Sequence, residues 1–332
     1  MSKKSIALKS FFNPDFKNCY IETLTDKSNI NRTKTVFYSA RELETELGKD
    51  LYDFTKKEMI QLFEMNEWVN KTLFFINKTM IMHYIQFALN KLSRDESEVG
   101  KISTIKYSDI NIVKVYKEIY YKSFEDLTET IDQIFKNQIS DYTGLRMKCV
   151  CGLLWYGVPI EDVAEITAED LDKKHGTIRC ANLGRRVAVP SYILNWCFIL
   201  SKTYMYTNTI GNNCCLPCDN KIIKIKETDY KDSVRTNKQI LLGISSNFQK
   251  VVEACLKNMS DCERQEIKYK KIMYTRVMKN GEFERAYEVE KKNNVVFANS
   301  TEYSEAISCK KNKSVNYTKF EEYKTWKQAF GL

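Results

Sequence analysis

Apolar residues recur at helical spacing through most of the chain, and the places where that spacing breaks define the expected elements. Residues 1–52 read as a polar, turn-rich N-terminal segment. Thr55 and Glu58 then stand at capping-box spacing, which predicts a helix start, and the apolar positions Met59, Leu62, Phe63 and Met65 continue it. Asn70 and Lys71 separate this helix from a longer one over Thr72 to Leu92, where Phe75, Met82, Ile85 and Leu89 share a face. Residues 53–93 are therefore expected to form a compact helical domain. The run Ser93 to Gly100 is charged, lacks apolar periodicity and ends in glycine, so a linker is placed at residues 94–105.

A second domain, residues 106–332, opens with helical patterns at Ile110–Tyr121 and Phe124–Ile139. They lead to Met147–Tyr156, which is apolar on nearly every face and so belongs at the centre of a core. After Asp170 the period changes. Gly176 to Cys180 and Arg186 to Pro190 predict two short strands around the turn Ala181–Gly184. Ser191 to Tyr206 is helical again, Asn212 to Lys238 is irregular, and Ser246–Met259 and Lys268–Asn280 predict two more helices, the latter stopping at Gly281. The expected fold is mainly α, with a small β-hairpin inside the second of two domains.

Composition narrows this picture modestly. A hydrophobic share of 43% in 332 residues is enough for packed cores. No apolar run has the length of a signal peptide or a membrane span, so a cytoplasmic protein without membrane contact is expected. Its 11 cysteines are then expected to be reduced and mostly buried. Cys214, Cys215 and Cys218 include one Cys-x-x-Cys pair, but a structural zinc needs four ligands. Only Cys255 and Cys262 could add to them through the fold, and the reading is no metal and no cofactor. The formal charge of +9 is compatible with a phosphate-bearing partner and does not identify one.

The stretch from Leu153 to Leu171 carries the chemistry. It reads as an apolar helix, the turn Tyr156-Gly157-Val158-Pro159, and a short helix through Asp162 leading to Asp170-Leu171. This order, with a glycine, two strands and Val189-Pro190 before a helix, resembles the tyrosine recombinases, the phage integrase family. The resemblance runs from about Asp53 to about Tyr323 and is sharpest between Met147 and Pro190. It implies a helical core-binding domain and a mostly helical catalytic-like domain that clamp double-stranded DNA. It also implies two arginines on the scissile phosphate, a lysine or histidine acid, and a tyrosine nucleophile.

Several of those positions are changed. Pro159 occupies the first arginine slot, and the hairpin turn offers Arg185 and Arg186 where the family has a lysine. Counting back from Asn280-Gly281 puts Ile267 in the histidine slot and Lys270 in the second arginine slot. Tyr317 and Tyr323 stand at nucleophile distances, without the Leu-Gly-His that usually precedes that tyrosine. The resemblance thus implies a scaffold that keeps DNA binding and loses cleavage, as in phage repressors built on an integrase-like fold. Such a protein would act on operator sites at the nucleoid of a bacterial host and answer to a protein antirepressor. Candidate DNA contacts are Lys71 and Lys78 in the first domain, and Arg185, Arg186, Lys268, Lys270, Lys271 and Arg276 in the second. An active but diverged recombinase and a non-DNA interaction module remain open alternatives at this level.

Overall fold

The computed structural model describes residues 11–94, 100–136, 141–207, 211–224, 237–260, 262–263, 267, 270–307 and 313–332. The chain divides into two units, Met1–Tyr116 and Lys117–Leu332, so residues 106–116, grouped above with the second domain, fall in the first. Residues 95–99 of the expected linker lie outside the described residues. No helix among the described residues is long and apolar enough to cross a membrane.

The first unit is helical throughout. It contains α1 (Pro14–Glu22), α2 (Lys27–Leu47), α3 (Lys56–Met65), α4 (Lys71–Leu92) and the short α5 (Gly100–Ser103), and the division falls within α6 (Ile112–Ile119). The Thr55–Glu58 capping box forms as its spacing predicts, and the Asn70 carboxamide oxygen caps α4 by accepting the Thr72 and Leu73 amides. Residues 14–47 differ from expectation, being two helices instead of a turn-rich segment. Val36, Phe37, Ala40 and Leu43 of α2 are buried, and the Phe37 ring meets that of Tyr84 on α4 at 4.7 Å.

These helices also bury polar groups that broke the apolar pattern. Lys17 of α1 is fully enclosed and its ammonium pairs with the equally enclosed Glu44. Glu44 also accepts the Leu51 amide at 2.9 Å. Asp50 accepts from the Tyr84 hydroxyl at 2.9 Å and the Asn13 carboxamide at 3.1 Å.

The second unit is built around α8 (Asp141–Trp155), whose Cys149, Val150, Cys151, Leu153, Leu154 and Trp155 are all buried. Against it pack α7 (Phe124–Phe135), α10 (Ser191–Lys202) and α12 (Tyr274–Asn293). The short α9 (Ile160–Val163) leads into an antiparallel sheet of β1 (Leu171–Asp172), β2 (Thr177–Cys180) and β3 (Arg185–Ala188), in that order. The predicted hairpin is β2–β3, with Ile178 opposite Val187 and Cys180 opposite Arg185. β4 (Met205–Thr207) and β5 (Asn213–Cys215) form a second small antiparallel pair, and α11 (Asn237–Lys257) adds Phe248, Val252 and Cys255 to the core. The described cysteines are free thiols.

Several expected boundaries differ. α10 ends at Lys202 and not at Tyr206, which lies on β4, and α11 begins at Asn237 and not at Ser246. The last helix of the pattern differs most. The helix predicted to stop at Gly281 begins at Tyr274, passes through Asn280 and Gly281, and ends at Asn294 in the left-handed conformation. Gly281 is where α12 crosses the end of α8. A Cβ there would stand 2.6 Å from the Trp155 carbonyl carbon and closer still to its oxygen, so only glycine permits the approach. The count that gave Ile267 and Lys270 their slots loses its anchor with that stop.

Two elements close the unit, α13 (Ser300–Ala306) and α14 (Lys313–Phe330). Tyr323 and Trp326 of α14 are buried beside Phe283 of α12. The Trp326 indole donates to the Tyr121 carbonyl at 3.1 Å, and Lys279 pairs with Glu322 at 3.0 Å.

Candidate nucleic-acid interface

The turn after α8 is tight because Gly157 takes φ +92°, which lets the Val158 amide reach back to the Leu153 carbonyl at 2.9 Å. Pro159 follows at the α9 N-cap, where its carbonyl accepts the Asp162 and Val163 amides. Asp162 is buried, and its carboxylate accepts the Asn182 amide and carboxamide, both at 2.9 Å. The turn is thereby pinned to the tip of the hairpin. Asp170 caps the short turn at Thr167 and accepts the Arg179 guanidinium at 2.8 Å, which holds its carboxyl below the usual range against the opposing effect of its partial burial.

The hairpin arginines differ in their freedom. Arg186 donates to Thr177 Oγ1 at 2.8 Å and to the Asp170 carbonyl at 3.2 Å, and lies 3.8 Å from Asp172. Arg185 is exposed, and its side chain has no hydrogen bond or ion pair among the described residues.

Opposite this hairpin, α12 carries groups that the sequence reading passed over because it ended the helix at Gly281. The Glu284 carboxylate accepts the Trp155 indole N–H and the Phe124 amide, and burial pushes its carboxyl up. Arg285 donates to the Trp155 carbonyl, and its guanidinium lies against the Gly157 turn. Between α12 and the hairpin is a cavity of about 750 Å³ whose walls include Glu125, Arg185, Arg186, Glu284, Arg285 and Glu288. The glutamates at 284 and 288 stand one helical turn apart, a spacing legible once the helix is extended.

The remaining expected contacts are dispersed. Lys71 is exposed at the start of α4, whereas the Lys78 ammonium is committed to the Ser103 and Ile105 carbonyls at 2.9 and 2.7 Å. Lys270, expected to meet phosphate, donates to the Tyr120 carbonyl and lies over the Tyr121 and Phe330 rings. It fastens the two ends of the second unit together, so its replacement by alanine should first lower the melting temperature. Lys271 is exposed, Arg276 is partly buried with burial lowering its pKa, and Lys268 lies outside the described residues.

Of the two candidate tyrosines, Tyr317 is 59% exposed. Tyr323 is buried, its hydroxyl donates to Glu290 at 2.8 Å, and burial with that carboxylate raises its pKa, the reverse of nucleophile activation. Cys214 and Cys215 lie on β5, with Cys214 buried and Cys215 and Cys218 exposed. No group of three or more metal-ligating side chains converges among the described residues.

Residues 11–90 match the family model described as the MrpR N-terminal core-binding domain. The SPbeta prophage-derived uncharacterized protein YopR of Bacillus subtilis (strain 168) is 27% identical over 150 residues, which span 44% of this chain and 42% of that protein. Among solved structures, XerA recombinase is similar over 94% of this chain and 98% of its own, at 11% identity and a TM-score of 0.34. A lambda integrase(75-356) dimer bound to a COC' core site is similar over 93% and 94%, at 11% identity and a TM-score of 0.33.

Proposed function

We propose that the protein is a sequence-specific DNA-binding regulator, a phage repressor maintaining lysogeny, on a recombinase-like scaffold that no longer cuts DNA. The observation that carries this reading is the match of residues 11–90 to a core-binding domain. In the second unit, Arg185 and the exposed Lys174 supply charge for phosphate contacts, which position a protein on the duplex while other side chains read bases. The prophage origin of YopR supports a phage setting. So does the chain's resemblance to the master repressors of SPβ-type Bacillus phages.

Loss of cleavage is supported by what fills the slots. Pro159 brings no charge to the first. Moved to the observed helix end at Asn294, the same three-turn count falls on Asn280 and Phe283. The former donates to the Tyr121 carbonyl and the latter is fully buried. Removing one charged or donor contact from such a transition state costs about 3–4 kcal/mol, so losing several disables the reaction.

The purified protein, mixed with sheared DNA from its own genome and excess competitor, is expected to retain a few discrete fragments and leave no detergent-stable adduct. Arg185→Ala is expected to weaken binding to every sequence about tenfold and to reduce the salt slope by about one. Adducts mapping to the exposed Tyr317 would restore the active-recombinase reading, and no enrichment would favour the interaction module.

A further inference from the structure

The cavity beside the hairpin is poorly suited to DNA. A phosphate entering it would meet the carboxylates of Glu125 from α7 and Glu288 from α12, both exposed. Three of its charged groups are already satisfied within the protein. Glu284 holds the Trp155 indole and the Phe124 amide, Arg285 holds the Trp155 carbonyl, and Arg186 holds Thr177 and the Asp170 carbonyl.

Arg185 on one wall and Glu125 and Glu288 on the others remain, with side chains that form no hydrogen bond or ion pair among the described residues. Between them the lining is mixed, with Val187, Val289 and Ile307 beside Tyr156. An anion alone is repelled by the carboxylates and a cation alone by the guanidinium. A ligand with both charges separated by an apolar stretch satisfies every wall. The volume of about 750 Å³ lies within the range of clefts that bind small ligands.

We propose that this cavity is a receptor for a short dipolar peptide segment, one that sets a lysine or arginine side chain against Glu125 and Glu288 and a carboxylate against Arg185, and that its occupation weakens DNA binding. The second half rests on the DNA-binding reading given above. Its logic is competition for a single cation, because an Arg185 guanidinium paired with a peptide carboxylate in the cavity is withdrawn from the phosphate backbone. The charged ends fix orientation, and Val289 and Ile307 add apolar contact between them.

The test uses the full chain with labelled methyl groups, without DNA. The probe is a tetrapeptide library with lysine or arginine first, valine, leucine or isoleucine at the two middle positions, and a free carboxylate at the end. Saturable shifts are expected at the Val187, Val289 and Ile307 methyls, with affinity falling at least tenfold in Glu125→Gln/Glu288→Gln and again in Arg185→Gln. Unchanged melting temperatures would show that these variants fold. Absence of saturable shifts, shifts indifferent to the variants, or equal shifts from free lysine would overturn the peptide site. The library is then added to the protein on its retained genomic fragments. A loss of DNA affinity of about tenfold at the concentration that fills the cavity supports the regulatory half, whereas a filled cavity with DNA affinity unchanged overturns it. A protein that fails to bind DNA before any peptide is added sinks the DNA reading and leaves the peptide result standing.

Discussion

Gly281→Ala is expected to destabilise the second unit by about 3 kcal/mol or more, the upper end for a single added methyl group. The new Cβ would overlap the main chain of Trp155, which is fixed at the C-terminal end of the central helix α8 and cannot rotate away as a side chain could. Relief requires α12 to shift, and α12 carries Asn280, Glu284 and Arg285, whose bonds to Tyr121, Trp155 and Phe124 tie the unit together. Gly144→Ala provides the comparison, because there the nearest atoms to the new Cβ are Phe135 Cβ and Cγ at 3.3 Å, a tight contact without overlap of main chain. That change should lie within about 1 kcal/mol of neutral, helix propensity offsetting the tight contact. Urea unfolding of the two variants decides the matter. Equal midpoints would mean that α12 and α8 do not cross at residue 281.

Lys17→Met should cost the first unit about 3–5 kcal/mol near pH 8, because it strands the Glu44 carboxylate in a fully enclosed site. The same site makes stability depend on pH. Burial pushes the Glu44 carboxyl up from 4.5 to about 7, with the Lys17 ammonium and the Leu51 amide acting in the opposite direction. The folded chain therefore binds this proton more tightly than the unfolded chain. The resulting stabilisation is complete below about pH 4.5 and is lost as pH rises through about 7, an effect on the order of 3 kcal/mol. Glu44→Gln should flatten the dependence between pH 5 and 8, whereas Lys17→Met should steepen it by removing the cation that opposes protonation. Parallel pH profiles for wild type and Glu44→Gln would show that Glu44 is not the group responsible.

The sequence revealed elements whose information is local. Thr55 with Glu58, Asn70 before α4 and the β2–β3 alternation all need only near neighbours. It concealed α1 and α2 because Lys17, Thr33 and Glu44 occupy buried positions that an apolar periodicity would assign to solvent. It misplaced the end of α12 because an Asn-Gly pair usually signals a stop, and the reason it does not is a carbonyl 126 residues earlier in the chain. At the candidate interface the tight turn at Gly157 was legible, whereas its pinning to Asn182 through Asp162 was not. Nor was the inward commitment of Lys78 and Lys270, since nothing local distinguishes a lysine that donates to buried carbonyls from one on a wet helix face.

The bond from Trp326 to the Tyr121 carbonyl spans 205 positions, whereas the buried pair of Lys17 and Glu44 in the first unit spans 27. During synthesis the two units should therefore reach their native contacts on different schedules. The first can close while most of the second is still untranslated. The second exposes the groove that Tyr323 and Trp326 will fill until α14 has left the ribosome. Its long-range contacts form late and slowly, which makes the nascent second unit the stage at which chaperones would find apolar surface to hold.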